Sequence, residues 1–256
     1  MKLGLEERRA LVTGGSKGLG AAIARELVGE GVRVAICARN ENEVRAAADE
    51  QGAAYAQAAD VTDPEQVRDF VARSAEELGG IDFLVNNAGG AHPGSFATLT
   101  DENWIADLDI KLFSLIRCAR EVLPHMRAAG GGRIVNIGSV YSRYPDPAFF
   151  STSVNRAAGN SFTKTLALEV AKDNILVNGV NIGFVSTPQW DNIHQRRAPE
   201  LPREEFFDTI AAQEVPLGRF GTPDEVSGLV TFLLSERASY ITGASLDVAG
   251  GMGKYV

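Results

Sequence analysis

With 256 residues, 45% hydrophobic, 23% charged and a formal net charge of −8, the chain has the composition of one large α/β domain. That charge argues against a nucleic-acid surface, which needs a basic face. No apolar run approaches the roughly 20 residues of a membrane span, and Met1–Leu5 leads straight into charged residues, so no membrane segment and no signal-peptide core are expected. Cys37 and Cys118, the two cysteines, are too few for a disulfide scaffold and point to buried thiols in a reducing, cytoplasmic compartment. No metal site is expected.

The first strand signal is Ala10-Leu11-Val12, which runs into Thr13-Gly14-Gly15-Ser16-Lys17-Gly18-Leu19-Gly20. Behind it Ile23, Leu27 and Val28 share a helix face. Strand, glycine turn, helix is the context in which a glycine motif carries meaning. Glycines let a phosphate approach the backbone with no Cβ in the way. The helix N-terminus behind them offers free N–H donors and a positive dipole end. The spacing is G-x-x-x-G-x-G, and alone it also suits an ordinary tight turn.

Further along, strand-like and helix-like segments alternate: strands over 32–37 and 53–58, and helices over 41–51 and from Asp63-Pro64 to Gly79-Gly80. Phe83-Leu84-Val85 reads as a strand ending in Asn86-Asn87-Ala88-Gly89, followed by one long helix over 101–129. Strands are expected over 133–137, 175–180 and 245–248, with helices over 151–172 and 223–234. Repeated βα units predict a Rossmann-type, doubly wound parallel sheet of about seven strands, with the ligand at the strand C-termini. The stretch 188–216 is the least regular and reads as a substrate lid on a single domain covering 1–256.

Taken together, Thr13 to Gly20, Asp60-Val61, Asn86-Asn87-Ala88-Gly89, Ser139, Val177-Asn178 and Asp247-Val248-Ala249-Gly250-Gly251 resemble the short-chain dehydrogenase/reductase family. The likeness covers essentially the whole chain and leans toward the single-domain branch that includes β-ketoacyl carrier-protein reductases. It implies a bound nicotinamide dinucleotide. Gly14, Ser16, Gly18 and Leu19 would then border the pyrophosphate, with Asp60 at the adenine amino group and Val61 against the ring. Asn87, Ala88 and Gly89 would pass the ribose, and Val185 and Thr187 would meet the carboxamide. An NAD enzyme wants a carboxylate at the end of the second strand. The chain has Ala38-Arg39-Asn40 there, and Lys17 adds a second cation, so NADP is expected, with NAD as the second choice.

The family's reaction uses a Tyr, a Lys four residues on, a Ser and an Asn. Here the Ser is Ser139. An ungapped alignment on Thr163-Lys164-Thr165-Leu166-Ala167-Leu168-Glu169 puts Thr152 at the Tyr position, Arg156 at the Lys position and Lys111 at the Asn position. Thr152 and Arg156 lie four apart and share a helix face. Arg156 can donate to ribose hydroxyls but cannot relay protons, and Thr152 lacks a phenol's acidity. Lys111 is the preferred substitute donor, with Tyr141, Tyr144 and His194 as rivals; a solvated helix lysine is the bland alternative.

The expected function is an NADP-dependent oxidoreductase of a small-molecule carbonyl or secondary alcohol with an atypical proton donor. The alternative is an NADP-binding protein without redox turnover, in a regulatory or assembly role. The lid residues Trp190, His194, Arg196, Arg197, Phe206 and Phe207 read as a stacking surface for a flat substrate or as lid packing. A homodimer or homotetramer is expected, with Leu112, Phe113, Leu115, Ile116, Phe162, Leu166 and Leu168 on the pairing helices.

Overall fold

The structure is a computed structural model and describes residues 2–90 and 92–253. The first strand, β1 (Arg9–Thr13), shows how the core is built. Ala10 and Val12 point into one hydrophobic cluster and Leu11 into the other, the period-two alternation of a strand covered on both faces. The remaining strands are β2 (Arg33–Ala38), β3 (Tyr55–Ala58), β4 (Phe83–Asn86), β5 (Gly132–Ser139), β6 (Ile175–Ile182) and β7 (Ser245–Val248). All pair in parallel, in the order β3-β2-β1-β4-β5-β6-β7.

On one face lie α1 (Gly18–Gly29) and α9 (Pro223–Leu234), which bury Ile23, Leu27, Val226, Val230 and Leu233 against the sheet. The opposite face is covered by α3 (Pro64–Leu78), α5 (Ser114–Ala128) and α6 (Phe150–Val170), through Phe70, Val122, Met126 and Leu166. Cys37 and Cys118 are free thiols in this second layer. Strand order reverses between β1 and β4, so the loops that leave them diverge to opposite faces and open a crevice at the strand C-termini.

The ends of several elements follow local chemistry. Asn40 caps α2 (Glu41–Gln51) by accepting the Glu43 N–H, and Asp63 caps α3 ahead of Pro64. The strands extend one or two residues beyond their apolar runs because the parallel ladder continues to Asn86, Ser139 and Ile182.

Two expectations need correction. The long helix over 101–129 is broken into α4 (Asp101–Leu108), a π-turn (Asp109–Phe113) and α5. The Ser114 N–H donates to the Asp109 carbonyl, five residues back, and the Ser114 hydroxyl donates to the Ile110 carbonyl at 2.6 Å. The widened turn carries Lys111. The stretch 188–216 is also more regular than expected. It forms α7 (Pro188–Arg197) and α8 (Arg203–Glu214), with Trp190, Phe206 and Phe207 buried between them and against Phe220. Mutual packing of the apolar residues within the segment supplies the order that its mixed sequence hides.

Candidate active site

The crevice begins at the loop between β1 and α1. Gly14 has a φ of +66°, and a Cβ there would sit 3.0 Å from the Ala88 Cα and from the Asn87 amide nitrogen. At Gly20 a Cβ would fall 2.2 Å from the Gly14 carbonyl oxygen. The two loops therefore meet backbone to backbone. Asn87 fastens them by donating to the carbonyls of Thr13 and Gly14 at 2.9 and 3.1 Å, and the Thr13 hydroxyl accepts the N–H groups of Asn87 and Ala88 at 3.0 Å each. Helix α1 starts at Gly18 after an extended Lys17, and no side chain caps it. Its first N–H groups stay available for an anion, which is what a dinucleotide pyrophosphate requires. The residues present fit that group.

The other sequence-derived cofactor positions lie in this loop, after neighbouring strands and ahead of α7. Ser16 lies within it, partly exposed, and Leu19 is buried beneath it. Asp60 accepts from the Thr62 N–H and hydroxyl through one carboxylate oxygen, and Val61 beside it is buried. Gly89 follows Ala88 on the exposed rim, 2.8 Å from the Arg156 guanidinium when given a Cβ. Val185 bridges to Gly221, and Thr187 precedes α7, 3.5 Å from the point where a Gly18 Cβ would stand. Arg39 is exposed just past β2. Lys17, expected as a second cation on the same side, pairs with Glu43 of α2 at 2.9 Å. An exposed pair of this kind is weak and open to exchange.

The second half of the crevice is made by side chains. Lys111 is 1% exposed and Asp107, one turn earlier, is 0% exposed. The Lys111 ammonium donates to Asp107 Oδ1 and, at 2.6 Å, to the Thr152 hydroxyl. Asn155 donates to Asp107 Oδ2 at 2.8 Å, and His92 Nδ1 meets Oδ1 at 2.6 Å. On α6, Thr152, Asn155 and Arg156 follow the i, i+3, i+4 spacing that gathers them on one face. Arg156 donates to the Ile137 carbonyl at 2.8 Å, which places its guanidinium between the ends of β5 and β4. Ser139 closes β5, with its hydroxyl accepting the Tyr141 N–H at 3.3 Å.

Burial and Arg156 push the Lys111 ammonium down and Asp107 pushes it back up; burial dominates, and the pKa falls from the usual lysine value to about 8. Burial alone would raise Asp107. The hydrogen bond from His92 and the charge and hydrogen bond of Lys111 outweigh it and hold the carboxyl at about 2. Desolvation lowers Arg156 to about 10, which still leaves it a cation at neutral pH. The arrangement thus presents a buried ammonium near its titration point, joined to a hydroxyl. That pairing can donate a hydrogen bond and then a proton to an oxygen that gains charge.

The bland reading of Lys111 as a solvated helix lysine is overturned by its burial. Of the rival donors, His194 is spent on the Leu201 carbonyl at 2.8 Å and packs on Phe206, where it is buried. Tyr141 stacks on Phe149, and burial raises its phenol further above the ordinary value. Tyr144 packs near Gly253 and the cluster of Val140, Val215 and Met252. Trp190, Phe206 and Phe207 of the 188–216 region pack on one another and on Phe220 and present no open stacking surface. Leu115 and Leu166, expected on a pairing surface, are core residues, whereas Phe113 and Leu168 are exposed. Asp107, Asn155 and His92 escaped the sequence reading. Asp107 left a signal there, standing four residues before Lys111 on a helix, while His92 in its loop left none.

A family model described as enoyl-(acyl carrier protein) reductase matches residues 14–253. The 3-oxoacyl-[acyl-carrier-protein] reductase FabG of Vibrio cholerae is 36% identical over 251 residues, covering 98% of this chain and 99% of that protein. The L-sorbose reductase of Gluconobacter frateurii, complexed with NADPH and L-sorbose, superposes with a TM-score of 0.93 at 34% identity, covering 100% of each chain. A short-chain oxidoreductase of Pseudomonas aeruginosa, bound to NADPH and described as containing an atypical catalytic center, superposes with a TM-score of 0.92 at 35% identity. It covers 99% of this chain and 100% of its own.

Proposed function

The chain belongs to the short-chain dehydrogenase/reductase family, and from that premise we propose that it is an NADPH-dependent reductase of a small carbonyl compound in which Lys111 supplies the proton. The observation that carries the reading is the 2.6 Å hydrogen bond from the buried Lys111 ammonium to the Thr152 hydroxyl. The Gly14–Gly20 loop and the uncapped start of α1 are suited to the pyrophosphate, and Arg39 to a 2′-phosphate. Ser16, Leu19, Asp60, Val61, Asn87, Ala88, Gly89, Val185 and Thr187 complete the dinucleotide site on this reading. Relatives that hold NADPH support the choice of dinucleotide.

When bound, NADPH supplies a hydride to the carbonyl carbon. The protein's own part is to bind the carbonyl oxygen and protonate it. Thr152 accepts from Lys111 and so keeps its own O–H free to donate to that oxygen. As negative charge develops there, the Thr152 proton passes to the oxygen and a Lys111 proton replaces it on Oγ1. Ser139 adds a second donor to the same oxygen. Arg156, fixed on the Ile137 carbonyl, donates to the ribose and keeps a permanent positive charge beside Lys111, favouring release of the Lys111 proton.

Residues 1–256 act as one domain on this reading, with 188–216 as the lid. The exposed Phe113 and Leu168 suit a homo-oligomeric surface. No helix among the described residues is long and apolar enough to cross a membrane, and the two free, buried thiols suit the cytoplasm. The test is stopped-flow NADPH oxidation against a panel of reactive ketones, quinones and diketones, with binding followed by nucleotide fluorescence. Turnover of at least one carbonyl class is expected. Binding with no consumption across the panel would favour the non-redox role instead.

A further inference from the structure

Lys111 is buried and meets the crevice through Thr152, which a bound substrate covers, so a Lys111 that gives up its proton while the site is filled needs another route to water. We infer that His92 and Asp107 form that route: a proton line from solvent at the His92 ring, through Asp107 Oδ1, to the Lys111 ammonium. The inference rests on Lys111 being the proton donor.

The geometry is continuous. His92 is 46% exposed and sits in the loop after β4, while its Nδ1 reaches the fully buried Asp107 Oδ1 at 2.6 Å. The same oxygen accepts the Lys111 ammonium. A carboxylate only accepts, so the proton of the His92 bond lies on Nδ1 and the Nε2 edge faces away from Asp107. Asp107 already receives Lys111 and, on its other oxygen, Asn155. His92 is the third donor to this carboxylate, and of the three it alone is also open to solvent. Imidazole alone among side chains takes a proton on one nitrogen while releasing one from the other near neutral pH. The charged groups facing Lys111 are Asp107 from α4 and Arg156 from α6. Arg156 cannot relay.

The steps balance. The alkoxide oxygen gains the Thr152 proton, Thr152 regains one from Lys111, and Lys111 is left as a neutral amine. Water protonates His92 Nε2, and the Nδ1–H bond of the imidazolium breaks as its proton moves to Asp107 Oδ1. That proton passes to Lys111 Nζ, restoring the ammonium and the Asp107 carboxylate. The ring returns to its Nδ1–H form by exchange with water. Each carbonyl reduced takes one proton from solvent and one hydride from the nicotinamide donor.

His92→Gln tests this, because a Gln side chain can donate to Asp107 but cannot shuttle a proton. The first readout needs no turnover: exchange of the Lys111 ammonium protons with water, followed by NMR of nitrogen-labelled lysine in the NADPH-free protein. It should slow by roughly tenfold or more and recover with added imidazole. Equal exchange in the two proteins would overturn the proposal. The second readout is pre-steady-state oxidation of NADPH with diacetyl and benzil as probes. The variant should complete its first turnover at the wild-type rate and then run roughly tenfold slower, with imidazole restoring the later turnovers. Slowing of the first and later turnovers alike, without imidazole rescue, would show that His92 only props the loop. Should the wild-type protein bind NADPH but reduce neither probe nor any of the wider panel, the reductase reading falls, and the exchange measurement still decides the relay.

Discussion

On the β1 and β2 side the crevice is built mostly of main chain: the glycines from Gly14 to Gly20, the uncapped N–H groups that open α1, and a β4 loop laced on by Asn87. On the β5 and α6 side they are side chains, with Lys111, Asp107, Thr152 and Asn155 sharing one buried hydrogen-bonded cluster. A backbone-built site depends on where the chain turns, and it tolerates change at most side chains around it. A site built from side chains in low dielectric depends on the protonation state of each member, and every member alters its neighbours. On the proposed reading, binding belongs to the first half and proton transfer to the second.

The sharpest way to break that division is Lys111→Met. NADPH binding should survive, while carbonyl reduction should fall by on the order of a hundredfold or more, the usual contribution of a positioned acid. The substitution also strands the buried Asp107 carboxylate, an uncompensated charge that costs about 3–5 kcal/mol of stability. Thermal melting of Lys111→Met beside the double variant Asp107→Asn/Lys111→Met separates the two effects. The double variant should recover most of the lost stability and none of the rate.

A smaller effect is expected on the other side. Arg39→Asp should weaken NADPH binding by roughly tenfold to a hundredfold, the worth of one charge-assisted hydrogen bond. NADH binding should change little, and turnover at saturating nucleotide should hold. Fluorescence titration with both nucleotides reads this directly. Equal losses for the two would remove Arg39 from the 2′-phosphate and leave the cation to Lys17, once released from Glu43.

How much of this was legible in the sequence follows the same division. The glycine loop, the Asp63-Pro64 helix start and the strand that ends at Asn86 announce themselves, because turn and cap chemistry is local. The fold follows from their alternation. Thr152, Arg156 and Lys111 were placed by alignment and spacing. Their partners were not, because Asp107, Asn155 and His92 come together only through the packing of α4, α6 and the β4 loop. The π-turn over Asp109–Phe113 has no propensity signature, since its wide turn depends on where Ser114 hydrogen bonds. The helices α7 and α8 were hidden for a related reason. Their aromatic residues mark a cluster that packs on itself, which a reading for amphipathic stripes does not register.

Whether Lys111 gives the proton is decided by the pH profile of carbonyl reduction at saturating NADPH, compared between wild type and Lys111→Met from about pH 6 to about pH 10. With Lys111 as the proposed donor, reduction needs the ammonium form, whose pKa the site lowers to about 8. The wild-type rate should be level below that point and fall tenfold per unit above it, with alcohol oxidation rising in mirror image. The Lys111→Met rate should be low and lack that step. The same break near pH 8 in both proteins would assign the proton to another group and contradict the account.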